Sequence, residues 1–104
     1  MQTEQASTIA KLNDEFRRKG FAVTVTTGVQ ALPDLAGLLE AVRDYNEFWD
    51  SNDPYGEHDF GTIVWGKKKV FWKIDYYNES LDGWSDPALP SCNRILTVML
   101  AAEY

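Results

Sequence analysis

The stretch Phe60-Gly61-Thr62-Ile63-Val64-Trp65-Gly66-Lys67-Lys68-Lys69-Val70-Phe71-Trp72-Lys73-Ile74-Asp75-Tyr76-Tyr77 decides the fold. Two runs rich in β-branched and aromatic residues flank Gly66-Lys67-Lys68, and a short glycine-containing turn between such runs signals a β-hairpin. Its arms are 60–65 and 69–77. In the second arm Val70, Trp72, Ile74 and Tyr76 share one side and Phe71, Lys73, Asp75 and Tyr77 the other, because strand side chains alternate. Trp65 and Trp72 are expected to pair across the turn.

Working outward, Phe21, Val23 and Val25 alternate with Ala22, Thr24 and Thr26, a strand with one buried side that Gly28 closes. Before it, Ile9, Leu12 and Phe16 recur at helical spacing, with Lys11, Asn13, Asp14, Arg17 and Arg18 expected on the solvent side. Ser7 or Thr3 is placed to cap this helix, Arg17, Arg18 and Lys19 suit its negative end, and Gly20 stops it. After Pro33, Asp34 caps a second helix through Leu35, Leu38, Leu39 and Val42, whose apolar end Tyr45, Phe48 and Trp49 extend. Downstream of the hairpin, Gly83, Pro87 and Pro90 punctuate a long loop over 78–93, and 94–100 reads as a last apolar strand. The order α-β-α-β-β-β predicts one α+β domain over 1–104, with two helices on one face of a mostly antiparallel sheet of about four strands.

Composition narrows the function. With 44% hydrophobic residues, the 104-residue chain has enough apolar material for one core. A net charge of −6 speaks against direct binding to phosphate backbones, which needs clustered lysine and arginine. The longest apolar stretch, 95–102, is far shorter than the roughly 20 residues of a membrane span. The lone Cys92 leaves no internal disulfide, and the start Met1-Gln2-Thr3-Glu4 lacks a secretory pattern; both point to the cytoplasm.

Chemistry concentrates in Asn52-Asp53-Pro54-Tyr55-Gly56-Glu57-His58-Asp59-Phe60-Gly61, which places the only histidine between two carboxylates. His58 with Asp53, Glu57 and Asp59 offers donors for a divalent ion or for proton transfer. Successive residues of an extended chain face opposite sides, however, so these groups need a turn to converge, and no zinc-ligand spacing is present. The structural alternative is a loop in which Asp53 or Asp59 caps a turn and His58 bonds a backbone carbonyl. Lys73 and Asp75 read as a cross-strand charge pair, and Cys92 as a small buried residue, so neither a catalytic residue nor a metal or cofactor is assigned.

Charge pattern favours binding. Asp44, Glu47, Asp50, Asp53, Glu57 and Asp59 form one acidic segment, and Asp75, Glu79, Asp82 and Asp86 a second. A surface built from Asp50, Asp53, Tyr55, Glu57, His58, Asp59, Tyr77, Glu79, Asp82 and Trp84 suits a basic protein or nucleoprotein. Trp84, in the proline-rich loop, is the expected exposed anchor.

The strings Gly56-Glu57-His58-Asp59-Phe60-Gly61 and Phe71-Trp72-Lys73-Ile74-Asp75-Tyr76-Tyr77, with Leu12-Asn13-Asp14, Thr27-Gly28-Val29 and the closing residues 96–104, resemble a family of short proteobacterial proteins, domain of unknown function 3768, often met on plasmids. The resemblance implies no activity, cofactor or residue role. It implies a place in conflict between mobile DNA and its host. Joined to the acidic surface, this gives the expected function: a non-catalytic inhibitor of host nucleic-acid-targeting defence, of anti-CRISPR or anti-restriction type, monomeric or homodimeric. The alternative is a small enzyme or divalent-metal protein using the Gly56 to Gly61 loop around His58.

Overall fold

The hairpin forms where the sequence places it, one residue tighter. A computed structural model describes residues 4–20 and 22–104. Strands β2 (Phe60–Trp65) and β3 (Lys68–Tyr77) pair in antiparallel register from Phe60 opposite Lys73 to Trp65 opposite Lys68. The turn is therefore only Gly66-Lys67, both in left-handed backbone (φ +55° and +66°), the twist that a two-residue hairpin connection demands. Lys68 joins the strand. That register overturns the expected pairing of Trp65 with Trp72: Trp72 lies opposite Gly61, and the Trp65 indole donates to the Pro33 carbonyl at 2.9 Å. A Cβ on Gly61 would lie 2.2 Å from Trp72 Nε1, so the fully buried indole occupies the space that glycine leaves.

The remaining elements are α1 (Glu4–Lys19), β1 (Val23–Val25), α2 (Thr27–Gln30), α3 (Leu35–Arg43), β4 (Asn93–Leu100) and a closing 3₁₀ turn, Ala101–Glu103. The sheet order is β1-β4-β3-β2, antiparallel except for the parallel β1–β4 pair. The α+β class and the mostly antiparallel four-stranded sheet stand. The short helix α2 is additional, because Gly28 does not end the strand but sits inside a helical turn. Glu103 accepts from Thr26 Oγ1, Gly28 N and Leu100 N and ties that turn to the end of β4. The strand expected over 21–26 shrinks to Val23–Val25; Phe21, and the cap candidate Thr3, lie outside the described residues. Ser7 lies within α1.

One face of the sheet carries the core: Val70, Trp72 and Ile74 of β3 and Leu96 and Val98 of β4, covered by Val29, Leu38 and Val42 from the helices and by Tyr45. Helix α3 is capped by Asp34, whose Oδ1 accepts from Gly37 N at 3.1 Å, and stops at Arg43. Tyr45, Phe48 and Trp49 lie beyond its end, in irregular chain.

Helix α1 brings the largest departure. It ends at Lys19, with Gly20 at φ +70°, as its basic last turn and glycine predict. Yet its buried stripe is Ala6, Ile9, Ala10, Asn13 and Arg17, with Asn13 and Arg17 at 0% exposure, while Leu12 and Phe16 are half-buried. Two polar residues expected in solvent face the interior. Burial without partners would cost several kcal/mol, roughly, for such groups. Their partners build the site.

Candidate functional site

Arg17 lies over the rings of Phe48 (5.4 Å) and Trp72 (5.1 Å). Its Nη2 donates to the Tyr45 carbonyl at 2.8 Å and its Nη1 to Asp14 Oδ1 at 3.0 Å. Burial lowers the Arg17 pKa, and the bond to Asp14 opposes that shift. A guanidinium stays charged under such conditions, so Arg17 fixes the carboxylate one helical turn before it. Asp14 in turn accepts from His58 Nδ1 at 3.0 Å. A carboxylate only accepts, which places a proton on Nδ1.

The other side of the imidazole faces Asp53, whose Oδ2 is 3.6 Å from Nε2. Asp53 also receives the His58 backbone N–H at 3.3 and 3.4 Å, one distance to each oxygen. The ring stacks flat on Phe48, with centroids 3.9 Å apart and planes 5° from parallel. Gly56 at φ +69° and His58 at φ +57° turn the chain here. The turn that the sequence requires is thus present, but it does not aim the three acidic neighbours at one shared point. Among the described residues no three His, Cys, Asp or Glu side chains are placed to share an ion. His58 bonds a carboxylate from α1, not the backbone carbonyl of the structural alternative.

Asn13 performs a second fastening. Its amide donates to the Glu57 carbonyl and to the Tyr76 hydroxyl, each at 2.9 Å, and its carbonyl accepts from Arg94 Nε at 2.6 Å. The Tyr76 hydroxyl donates in turn to Glu57 Oε1 at 3.1 Å. Burial, with Asp59 and Glu57 nearby, pushes the Tyr76 pKa well up, so the phenol remains a neutral donor. Arg94 packs against the Tyr76 ring (5.5 Å) and donates to the Pro87 carbonyl. One asparagine on α1 therefore positions the first acidic loop directly and the second through Arg94.

The second loop closes on itself. Asp82 Oδ1 accepts from Asn78 Nδ2 (2.8 Å) and Ser80 Oγ (3.0 Å), and Asn78 Oδ1 accepts from Asp82 N (3.1 Å). These bonds lower the Asp82 pKa and keep it ionised. Trp84 follows, 71% exposed, between Gly83, whose carbonyl accepts from Asn78 N, and the anchored Pro87.

Both loops line the same depressions. A cleft of about 510 Å³ is lined by Tyr55 and Glu57 from the first loop and by Trp84 and Asp86 from the second. A neighbouring one, also about 510 Å³, includes Asp59, Tyr77, Asp82 and again Trp84. Tyr76 borders both. Burial first, then the charges of Glu57, Asp53 and Asp75, push the Asp59 pKa up to about 6, the mark of a carboxylate crowded by its own kind.

Of the residues chosen from sequence, Tyr55, Glu57, Asp59, Tyr77, Asp82 and Trp84 line these two clefts. His58 opens instead on a smaller hollow of about 360 Å³ beside Asp14, Lys11 and Arg18. Asp53 differs most, being 7% exposed and directed at His58, and so is part of the scaffold rather than the rim. Asp50 and Glu79 are exposed on their loops and line neither cleft. Sequence reasoning missed Asn13, Asp14, Arg17, Phe48 and Arg94. A signal existed: Ile9, Asn13 and Arg17 continue a four-residue stripe, but residue type outweighed spacing.

No helix among the described residues is long and apolar enough to cross a membrane. No curated protein and no solved structure is significantly similar to the chain. A family model matches residues 25–103, which takes in both acidic loops, the whole sheet but the start of β1, and leaves α1 outside. By that match, the chain belongs to the family described as protein of unknown function DUF3768.

Proposed function

We propose that the protein is a non-catalytic, cytoplasmic binding protein that engages a basic protein or nucleoprotein through its two acidic loops, as an inhibitor of host nucleic-acid-targeting defence of the anti-CRISPR or anti-restriction type. The observation that supports it most is the shared lining of one cleft by Tyr55 and Glu57 from the first loop and Trp84 and Asp86 from the second. Acidic rims accelerate encounter with a positive channel, and exposed aromatics supply anchors once contact is made. The place in conflict between mobile DNA and its host that the sequence resemblance implies would make the relevant basic channels those that hold phosphate backbones.

The enzymatic alternative has less support. Both ring nitrogens of His58 face carboxylates, Asp14 and Asp53, so the imidazole acts as a bridge between α1 and the loop. A general base needs one nitrogen turned toward a substrate.

The test is a DNA-cleavage assay with purified restriction and CRISPR effector complexes, run with increasing protein at low and high salt. Expected is loss of effector–DNA binding at low salt, relieved as salt rises, and weaker inhibition by a Glu57→Lys, Asp82→Lys variant. Undiminished cleavage by every effector at every salt concentration would remove the proposal.

A further inference from the structure

We propose that the cleft between Tyr55 and Trp84 binds the side chain of an arginine presented by a basic protein segment. The inference rests on the acidic-loop reading for its partner class and adds the recognition chemistry. Tyr55 is 78% exposed and Trp84 71% exposed, and both line the same cleft. Isolated exposed aromatics are ordinary; two of them lining one cleft together with the buried Ala6 and Ile9 form a surface suited to stacking against a planar group.

Charge selects that occupant. Glu57 and Asp86 are the ionisable carboxylates of the lining, no lysine or arginine is among its residues, and neither acid is in an ion pair among the described residues. The Glu57 Oε1 accepts from Tyr76 and the Asp86 Oδ1 from Ala88 N, so each acid is held in place with an oxygen to spare. Tyr76 already has Arg94 against its ring, which leaves Trp84 and Tyr55 as the faces for an incoming cation. A planar guanidinium fits this set better than an ammonium: it stacks on an indole while its edge donates to carboxylates. The neighbouring cleft across Trp84, with Asp59 and Asp82, would receive a further basic residue of the same segment.

The experiment uses the full chain, ¹⁵N-labelled, titrated with a tetra-arginine amide and with its citrulline counterpart, which keeps the shape and loses the charge. Expected are movement of the Trp84 indole N–H signal with the arginine peptide only, an about tenfold weaker Kd for Trp84→Ala, and near-parental binding for Trp84→Phe. Equal binding of the citrulline peptide, or parental affinity in both Trp84→Ala and Tyr55→Ala, would overturn the inference. Arginine binding at Trp84 without inhibition of any effector would uphold it while the proposed function falls. Inhibition left intact in both Trp84→Ala and Tyr55→Ala, together with parental affinity of both variants for the peptide, would defeat it alone.

Discussion

The two acidic loops are held by different means. The first, 44–59, is fastened to α1 by groups far away in sequence: Arg17 to the Tyr45 carbonyl, Asp14 to His58, and Asn13 to the Glu57 carbonyl. The second, 78–92, is fastened from within and from the strand that follows it, through the ring of bonds among Asn78, Ser80 and Asp82, with Asn93 donating to the Asn78 and Glu79 carbonyls and Arg94 to the Pro87 carbonyl. One loop is therefore as stable as the packing of a helix, the other as stable as a local turn. The difference teaches that equal acidity in sequence conceals unequal dependence on the core.

Damage to α1 should break the comparison most severely. Arg17→Leu is expected to cost about 3–5 kcal/mol in chemical denaturation, because it strands the Tyr45 carbonyl and removes the counter-charge beside Asp14. Asn13→Ala should approach it, since Glu57, Tyr76 and Arg94 all lose a bond. Stability unchanged in both would mean that the first loop is not supported by α1.

His58→Ala comes next. It removes the Asp14 bond and the Phe48 stack, at an expected cost of about 1–3 kcal/mol by the same measurement. Hydrogen exchange should quicken in 53–59 and leave 78–83 untouched; equal quickening in both loops would erase the distinction between them.

Asp59 sharpens it through pH. Its folded pKa of about 6 lies above the ordinary 3.8, so the folded state holds more protons between those values. Stability from this group is therefore present at acid pH and lost as pH rises through about 6. Asp59→Asn should raise stability near pH 7.5 by about 1 kcal/mol after solvent screening and leave it unchanged near pH 4. A melting temperature lowered equally at both pH values would contradict this account.

The smallest effect belongs to the self-closed loop. Asp82→Ala should barely move the melting temperature, while amide exchange at Leu81 and at the substituted position quickens and the first loop stays protected. Quickened exchange in 53–59 as well would show that the Asn78 to Asp82 turn is not local in its effect.

Local signals were sufficient for much of this molecule. Alternation along β3, the cap at Asp34, the glycine stop of α1 and the hairpin itself depend on neighbours a few residues apart, and all appear. The same holds for the charge segregation and for an exposed Trp84 in a loop too polar and proline-rich to bury it. These features follow from backbone sterics and side-chain periodicity, which a sequence states directly.

Tertiary structure alone decided the rest. Asn13 and Arg17 look solvent-bound until Tyr76, Arg94, Phe48 and the Tyr45 carbonyl are brought around them, since a buried polar group is tolerated only when distant partners satisfy it. Likewise Asp53 and Asp59, neighbours in one acidic run, part company: one supports His58, the other lines a cleft with a raised pKa. Charge is written in the sequence; its solvation, and hence its role, depends on what the fold places beside it.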